Sequence, residues 1–504
     1  MNNYIISCEE EGRDYPHYWE YCVESCHAAT LLREDVRNQI RKAHKECGFT
    51  HVRCHELFDD DMSVVFSPMM GIGETIISFY NIDCIYDFLL EIGMKPFVEI
   101  GFMPTLLASG TQTCFYYKAN VTPPADYEKW NDLIKKFAEH LIDRYGKEEV
   151  ETWQFEVRNE PNLNYFFDGT QEDYFLLYEN TARALKAVNE NIQVGGPATS
   201  VNAWIPEFRQ YCQSRNVPLD FITTHHYPSD DPLSSMGMNG PGTKGKTVDD
   251  ETAQMFLTLS PEELKKVMEK FLTPSENKNP RDILLQMTRK AKDEAGDFPL
   301  YYTEWNGSKE FDTCYQAACI VQTISYNEGL VEGYSFWTVS DIFEEMGMKP
   351  NPFKNEFGTQ TNHGIAKPSY RLFQALHEAG DKRLTVEGTH HTAEVLVLKD
   401  EKKIMVFAYN HDIERRDIKE EEMNIVLHGR VSSIEKAVID ENHCNPLKAW
   451  KEMGSPDYLK KDQIAVLDEV SKLVYEEIPV LDGDMQEINI TAEPESITIL
   501  KVHL

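Results

Sequence analysis

Strand-like and helix-like segments alternate between Trp19 and about His377, and this alternation limits the fold more than any other feature of the sequence. It is typical of a parallel sheet whose strands are connected by crossover helices. Candidate strands end near Ser25 to His27, His55, Gly101, Glu160, Pro197, His225, Glu304 and Trp337. Amphipathic stretches, read as helices, are Arg33 to Cys47, Phe79 to Ile92, Tyr127 to Tyr145, Gln171 to Asn189, Ala203 to Ser214, Arg281 to Glu294, Cys314 to Asn327 and Pro368 to His377. Eight such units predict an α/β fold of the (β/α)8 TIM barrel type.

A doubly wound sheet is the alternative for such an alternation. That fold needs a point where the strand order switches and usually a glycine-rich turn. The stretch Gly71-Ile72-Gly73 lacks a third glycine and follows no clear strand, so we interpret it as a loop. The long insertions from Pro228 to about Asn279 and from Asp341 to Gly364 are predicted to shape a pocket on the active face of the barrel.

After about Asp381 the sequence changes to short alternating runs. They are Glu394 to Lys399, Ile404 to Tyr409, Met423 to Val426, Ser433 to Val438 and Ile497 to Val502. Such runs predict an antiparallel β-sandwich. We therefore expect a catalytic barrel over residues 14–380 and an accessory β-sandwich made of residues 1–13 and 381–504.

Two glutamates stand at the ends of predicted strands four and seven. Glu160 lies in the stretch Asn159-Glu160-Pro161, where proline stops the strand, and Glu304 lies in Thr303-Glu304-Trp305. Barrel enzymes build their sites at these strand ends. Cleavage of a glycosidic bond needs one protonated carboxyl group and one carboxylate, so the two glutamates suit that reaction.

These stretches resemble the glycoside hydrolases of clan A, and more closely the family 39 β-xylosidases. Further segments resemble that family in the same order: Cys22 to Arg41, Val52 to His55, Asp220 to Tyr227 and Ser335 to Glu345. The resemblance covers nearly the whole chain. It implies that Glu160 is the catalytic acid and base and that Glu304 is the nucleophile.

The resemblance also implies roles for residues around the two glutamates. Asn159 would contact the 2-hydroxyl of the bound sugar, His55 and His225 would contact the sugar, and Tyr227 would hydrogen-bond the nucleophile. His226, between the last two, points away if the strand alternates regularly. On predicted strand eight and its loop, Trp337 would stack on a sugar face, and Glu344 and Glu345 would accept hydrogen bonds from sugar hydroxyls.

Arg158 is a departure from the family, which usually has tryptophan at this position. If the strand alternates regularly, Arg158 and Glu160 share a side, and the guanidinium would lower the pKa of the acid. Alternatively, Arg158 faces a buried carboxylate such as Glu99 or Glu156 and has a structural role. The sequence leaves both interpretations open.

Composition excludes several classes of partner. With 84 acidic and 50 basic residues the chain carries a formal charge of −34, which repels nucleic acid and anionic lipid but does not affect a neutral sugar. No apolar run is long enough to span a membrane. The cysteines near the N-terminus lack the paired spacing of a zinc site, and we expect no metal or cofactor.

The eleven cysteines have no disulfide spacing and the N-terminus shows no secretory signal, so we expect a cytoplasmic protein. The oligomeric state is left open, with a homo-oligomer among the options.

We interpret the chain as a retaining, exo-acting β-xylosidase of xylan breakdown that releases xylose from short oligosaccharides. The alternatives are another neutral-sugar glycosidase such as an α-L-arabinopyranosidase, an iduronidase-like enzyme, and a catalytically silent carbohydrate-binding barrel.

Overall fold

A computed structural model describes residues 2–68, 74–230, 279–307, 309–413 and 418–504. Gly71-Ile72-Gly73 and most of the insertion after Pro228 lie outside these residues. Within them, no helix is long and apolar enough to cross a membrane.

The strands of the described residues are numbered in chain order. They are β1 (Asn2–Ser7), β2 (Arg13–Asp14), β3 (Cys22–His27), β4 (His51–His55), β5 (Val65–Phe66), β6 (Ile76–Ile77), β7 (Lys95–Ile100), β8 (Thr113–Cys114), β9 (Ala119–Asn120), β10 (Gln154–Val157), β11 (Gln193–Thr199), β12 (Phe221–His225), β13 (Leu300–Trp305), β14 (Gly333–Phe336), β15 (Lys382–Arg383), β16 (Ala393–Lys399), β17 (Lys403–Asn410), β18 (Glu421–His428), β19 (Ser433–Ile439), β20 (Glu476–Ile478), β21 (Met485–Ala492) and β22 (Ser496–His503).

The α-helices are numbered in the same way. They are α1 (Glu34–Cys47), α2 (Tyr80–Glu91), α3 (Tyr127–Tyr145), α4 (Lys147–Val150), α5 (Gln171–Val188), α6 (Ile205–Arg215), α7 (Ile283–Ala295), α8 (Cys314–Tyr326), α9 (Pro368–His377), α10 (Pro446–Glu452) and α11 (Lys461–Val470).

Eight parallel strands close into a barrel in the order β3, β4, β7, β10, β11, β12, β13 and β14, and β14 pairs with β3. The predicted (β/α)8 barrel is therefore confirmed. Each predicted strand end lies within a few residues of an observed one, and β10 and β13 are the fourth and seventh barrel strands. The carboxyl ends of all eight strands consequently meet at one face.

Side-chain caps begin two of the barrel helices, and a glycine ends a third. The Asp126 side chain caps α3 by accepting from the backbone of Glu128 and Lys129, and Thr170 forms a capping box with Asp173 at the start of α5. Gly48 ends α1 with a φ of 76°, in the left-handed region. A Cβ atom there would lie 2.3 Å from His377 Nδ1, so the close packing of α1 on α9 also needs glycine.

Of the remaining strands, β5 pairs with β6 and β8 with β9, and the others form two sheets packed face to face. One has seven strands in the order β2, β15, β16, β17, β22, β19 and β20, and the other has three in the order β1, β18 and β21. The N-terminal strand β1 runs parallel to β18, with Tyr4 opposite Ile425, whereas the other pairs of both sheets are antiparallel. The domain boundaries given above stay a prediction.

Strand β17 shows how the larger sheet is held between the barrel and the smaller sheet. Met405, Phe407 and Tyr409 belong to the large hydrophobic cluster that includes the barrel, while Ile404 and Val406 belong to the cluster between the two sheets. Both faces of the strand are therefore buried, which explains its nearly continuous apolar sequence. The sheet and the barrel share one core.

Arg281, just before α7, links the barrel to the larger sheet. Its guanidinium donates to the Glu394 carboxylate at 2.9 Å, to the Tyr326 hydroxyl at 2.6 Å, and to the carbonyl oxygens of His411 and Thr392. The side chain is largely buried. Glu394 is half-buried, and removal of its cation would leave this carboxylate with only the Tyr326 and Tyr409 hydroxyls as side-chain partners among the described residues.

We expect Arg281→Ala to lower the free energy of unfolding by about 2–3 kcal/mol, because it removes charge-assisted hydrogen bonds that join the two parts of the structure. Thermal denaturation followed by circular dichroism would measure it. Arg289→Ala, which changes an exposed arginine on α7, is the matched control and should leave the melting temperature unchanged. Equal melting temperatures for both variants would contradict this role of Arg281.

Candidate active site

Glu160 and Glu304 lie next to each other at the carboxyl end of the barrel. Glu160 follows β10 and Glu304 lies near the end of β13, and both side chains are buried. An oxygen of one carboxyl group and an oxygen of the other are within 4.8 Å. Between them lies His225, whose Nδ1 is 3.1 Å from Glu160 Oε1 and 3.5 Å from Glu304 Oε2.

Glu304 is surrounded by groups that favour its ionised form. The Tyr227 hydroxyl donates to Glu304 Oε2 at 2.7 Å, while Arg53 Nη1 and His55 Nε2 each lie 3.3 Å from Oε1. Burial alone would raise the pKa of Glu304, but the charges and hydrogen bonds of His225, His55 and Arg53 outweigh it and hold the pKa well below its usual range. The carboxylate is therefore an oriented anion.

Glu160 is shifted in the opposite direction. Burial raises its pKa and the negative charge of Glu304 adds to that effect, while the imidazole of His225 acts against it. Two neighbouring carboxyl groups with opposite pKa shifts favour one proton on Glu160 and none on Glu304. This is the protonation state that glycosidic cleavage requires.

Arg53 is the central cation beneath this pair. Its guanidinium contacts Glu304 and, at 2.7 to 3.1 Å, three further carboxylates: Glu24, Glu99 and Glu156. Each of these residues is completely or almost completely buried. They are neighbours across the barrel sheet, since Glu24 pairs with Arg53 and Glu99 pairs with Glu156 in the strand register.

The sequence analysis did not assign Arg53, Glu24 or Glu156 to the site. The sequence contained a signal for them, because all three are charged residues inside predicted barrel strands. A charged residue that is fully buried in a strand is almost always paired with an opposite charge. His55 also belongs to this cluster of buried charged groups, because its Nδ1 lies 2.6 Å from Glu99 Oε2. Burial opposes its protonation, but the carboxylates of Glu99 and Glu304 outweigh burial and raise the pKa of His55 well above its usual value.

A cavity of about 260 Å³ opens above the two glutamates. The described residues that line it are His55, Asn159, Glu160, Phe166, Tyr227, Ser229, Glu304, Asn306, Trp337, Glu345 and Phe357. The sequence analysis had not singled out Phe166, Ser229, Asn306 or Phe357. Asn159 also accepts a hydrogen bond from Arg53 Nη2 at 3.0 Å, which fixes its amide at the cavity wall.

Two predicted site residues do not line this cavity. His225 is fully buried beneath the carboxyl groups, with its Nε2 3.1 Å from Thr303 Oγ1, so it contacts the glutamates themselves. Glu344 points towards Arg33, whose Nη1 lies 3.2 Å from its carboxylate. Its neighbour Glu345 does line the cavity, and burial, with the charges of Glu304 and Glu160, raises the pKa of Glu345 to about 8.

His226 is also fully buried and does not line the cavity. Its Nδ1 lies 3.4 Å from Asp230 Oδ2, on the loop that follows β12. The structure thus places neighbouring histidines differently: His225 between the two glutamates and His226 against the following loop.

Arg158 contacts neither Glu160 nor any other carboxylate closely. Its guanidinium carbon lies 3.9 Å from the centre of the Phe102 ring, and its Nη2 donates to the Phe166 carbonyl oxygen at 2.5 Å. No ion pair joins it to a described residue. Burial lowers the pKa of Arg158 to about 10. The contact with the acid considered in the sequence analysis is therefore not formed, and neither is an ion pair with Glu99 or Glu156.

Among the residues that the structure describes, two groups of side chains have atoms close enough to share a metal ion. They are Glu24, His55 and Glu304, and Glu160, His225 and Glu304. Both include Glu304, which already faces the Arg53 guanidinium. A fixed positive charge at this distance opposes a second cation, so we assign no metal to either group. That the reaction needs no cofactor stays a prediction.

A (β/α)8 barrel with paired, oppositely shifted carboxyl groups at strands four and seven has the design of a barrel glycoside hydrolase. The sequence pattern that defines glycosyl hydrolases family 39 matches residues 4–484. The chain belongs to this family and is a glycoside hydrolase, which confirms the resemblance and the enzyme class predicted from the sequence.

Relatives of known activity cover nearly the whole chain. It is 42% identical to a β-xylosidase of Caldicellulosiruptor saccharolyticus over 96% of this chain and 95% of that one. It is 32% identical to a β-xylosidase of Geobacillus stearothermophilus over 99% and 95%. Among solved structures, a monomeric β-xylosidase from Caulobacter crescentus CB15 superposes with a TM-score of 0.82 at 27% identity, covering 100% of this chain and 99% of that one.

The position of Arg158 predicts its effect on the pH profile. If Glu160 is the catalytic acid, as the sequence predicts, catalysis is lost at high pH when Glu160 gives up its proton, and the pKa of Glu160 sets the alkaline limb. An adjacent guanidinium would lower that pKa, and its removal would shift the limb to higher pH. Because Arg158 makes no contact with Glu160, we expect Arg158→Met to leave the alkaline limb of kcat/KM in place. An upward shift by about one pH unit would contradict this geometry.

Proposed function

We propose that the protein is a retaining, exo-acting β-xylosidase that removes single xylose units from short oligosaccharides. The observation that carries the proposal is the pair Glu160 and Glu304, in which one oxygen of each carboxyl group lies within 4.8 Å of one oxygen of the other. Retaining glycosidases have carboxyl groups about 5–5.5 Å apart, whereas inverting enzymes need about 6.5–9.5 Å to admit a water molecule. The full-length similarity to two β-xylosidases supports the choice of sugar.

In the first step a carboxylate oxygen of Glu304 attacks the anomeric carbon. The bond from that carbon to the leaving oxygen breaks, and the proton of Glu160 passes to this oxygen. Tyr227, Arg53 and His55 hold Glu304 ionised and oriented for the attack. A xylosyl ester of Glu304 is formed.

In the second step Glu160 acts as a base. Once Glu304 is esterified, its negative charge is gone, and with it one cause of the raised pKa of Glu160. The pKa of Glu160 is therefore lower in this intermediate, which keeps Glu160 ionised; its carboxylate accepts a proton from water while the water oxygen attacks the anomeric carbon and the ester bond to Glu304 breaks. Xylose leaves with its original configuration and Glu304 is again a carboxylate.

The wall of the cavity suits a small neutral sugar. Its volume is near the lower end of the range for ligand pockets, which fits one sugar residue. Trp337 offers an aromatic face, Asn159 offers an amide to the 2-hydroxyl, and the Glu345 carboxyl, neutral near pH 7, can exchange hydrogen bonds with sugar hydroxyls. A cytoplasmic location and the oligomeric state stay predictions.

Azide rescue would test the division of roles between the two glutamates. Glu160→Ala should slow turnover by about a hundredfold to ten-thousandfold, but should spare the first step on nitrophenyl xyloside, whose leaving group needs little acid. Added azide should then restore turnover and give a β-xylosyl azide. Glu304→Ala should form no covalent intermediate, and any azide product should have inverted configuration. The same azide product from both variants would mean that the roles are assigned wrongly.

Product analysis would test the exo action and the sugar. Xylo-oligosaccharides should release only xylose, and long xylan should be a poor substrate, because a cavity of this volume accepts one terminal sugar. Chromatography of early products would show this. Internal fragments from xylan would contradict the exo action. In a panel of nitrophenyl glycosides, a clear preference for the α-L-arabinopyranoside or an iduronide over the β-xyloside would replace the proposed sugar.

A further inference from the structure

Lys367 is completely buried just before α9, where its charge faces two carboxyl groups. Its Nζ lies 2.5 Å from Asp312 Oδ1 and 2.7 Å from Asp341 Oδ2, and both aspartates are buried as well. Among the residues that the structure describes, no other lysine is buried. A lysine is almost never buried without such partners, because its ammonium group loses its water. We call Lys367, Asp312 and Asp341 the loop anchor.

The loop anchor joins the loops that follow the last two barrel strands. Asp312 lies in the loop after β13, the strand that carries Glu304, and Asp341 lies in the loop after β14. Asp312 also accepts a hydrogen bond at 2.7 Å from the backbone N–H of Asn355, which belongs to the second of these loops. One buried cation therefore fixes both loops at the face of the barrel where the cavity opens.

The charges of the loop anchor are close to balanced near neutral pH. Burial raises the pKa of Asp341 to about 8, and the negative charge of Asp312 adds to this effect while Lys367 acts against it. Burial alone would lower the pKa of Lys367, but the two aspartates outweigh it and raise that pKa. Near pH 7 Asp341 is therefore mostly protonated, and the ammonium group of Lys367 balances the Asp312 carboxylate.

The loop anchor holds the backbone on both sides of Phe357. On one side, Lys367 Nζ donates to the Glu356 carbonyl oxygen at 2.9 Å. On the other side, the Gly358 backbone N–H donates to Asp341 Oδ1 at 2.8 Å. The peptide groups before and after Phe357 are thus fixed by buried side chains.

Phe357 lines the cavity together with Trp337, and we call these two residues the aromatic wall. The Phe357 carbonyl oxygen accepts a hydrogen bond at 3.3 Å from the backbone N–H of Thr338, the residue after Trp337. The ring of Phe343 contacts both members of the wall, with centroids 5.8 Å from Trp337 and 5.2 Å from Phe357. Rings held in place before a ligand binds lose little conformational entropy in the complex.

We propose that Lys367 is a positioning residue for the proposed hydrolysis: through the backbone of Phe357, it holds the aromatic wall in the place where a neutral sugar binds. The inference rests on the proposed β-xylosidase function. Lys367 does not line the cavity, so its effect on the sugar passes through Phe357. It controls how tightly the sugar is bound, whereas Glu160 and Glu304 control the chemical step.

Lys367→Met tests this role, because methionine fills a similar volume without a charge or a hydrogen-bond donor. We expect KM for nitrophenyl β-xyloside and the inhibition constant of xylose each to rise by about tenfold, and kcat to change by less than about threefold. The side chains that contact Glu160 and Glu304 stay as they are in this variant. Steady-state kinetics of the wild type and the variant would measure these constants.

A double-mutant cycle with Phe357 separates positioning from a general defect. Phe357→Ala removes the ring that Lys367 positions, and it should raise KM to a similar extent. If Lys367 acts through this ring, Lys367→Met combined with Phe357→Ala should raise KM little more than Phe357→Ala alone. Two independent effects of about tenfold would instead multiply to about a hundredfold.

Loss of Lys367 also leaves the buried Asp312 carboxylate without its cation, so Lys367→Met should lower the melting temperature. Addition of Asp312→Asn removes that charge and should restore most of the melting temperature. It does not restore the hydrogen bond to the Glu356 carbonyl oxygen, so KM should stay raised. This charge-neutral double variant therefore tests positioning separately from stability.

Lys186→Met is the matched control. Lys186 on α5 is half-buried, and its Nζ lies 2.8 Å from Asp220 Oδ2. Asp220 directly precedes β12, at the end of the barrel opposite the cavity. This variant also loses an ion pair of a lysine with an aspartate, but it should keep both KM and kcat.

The possible results distinguish this inference from the proposed function. Wild-type protein that does not hydrolyse nitrophenyl β-xyloside would overturn the proposed function, and this inference with it. If the wild type is active, an unchanged KM in Lys367→Met would overturn the inference alone, and so would effects of Lys367→Met and Phe357→Ala that multiply. A charge-neutral double variant that regains the wild-type KM, or that does not fold, would assign Lys367 to stability and overturn the inference as well.

Discussion

The Arg53 guanidinium in the barrel interior is the interaction on which the active site depends. It faces Glu24, Glu99, Glu156 and Glu304, all of which are buried, with Glu304 reaching the cavity above. Isolated charges in such a place would cost several kcal/mol each, and they are tolerated because they compensate one another. Removal of the central cation would leave several buried carboxylates uncompensated, so the same residue stabilises the barrel interior and orients Glu304, the proposed nucleophile.

The two glutamates differ in chemistry because their neighbours differ. Glu304 receives Tyr227, His55 and Arg53, whereas Glu160 has His225 as its hydrogen-bonding neighbour and otherwise faces burial and the charge of Glu304. Burial acts on both in the same direction, so the difference arises from the donors around Glu304. One amino acid type can thus serve as acid and as nucleophile a few ångströms apart.

The strands, the loops and the outer sheets contribute different features to the site and its support. Barrel strands supply the charged groups at fixed positions, and loops after the strands supply the walls that select a ligand: Phe166, Trp337, Glu345 and Phe357. The seven-stranded sheet shares a hydrophobic cluster with the barrel and is joined to it by Arg281. The sandwich is therefore part of the same packed body, and it encloses the barrel on the side of α8.

The sequence by itself determined the eight units of the barrel, the strand ends and the two glutamates. These follow from hydrophobic periodicity and from turn-forming residues, which act over a few neighbouring positions. Five of the sandwich strands were also found from their alternation, although β2, β15, β20, β21 and the helices α10 and α11 were not. The predicted contact between Tyr227 and Glu304 came from the resemblance, and the structure has it.

Only the tertiary structure decided which side chains meet. Regular alternation would put Arg158 beside Glu160, but both have positive φ values, 71° and 39°, so the chain leaves strand geometry and the guanidinium turns towards Phe102. A register shift at His225 similarly places its ring between the glutamates. The partners of Arg53 come from β3, β7, β10 and β13, which are far apart in the sequence. Closure of the barrel brings them together, and no local pattern encodes that closure.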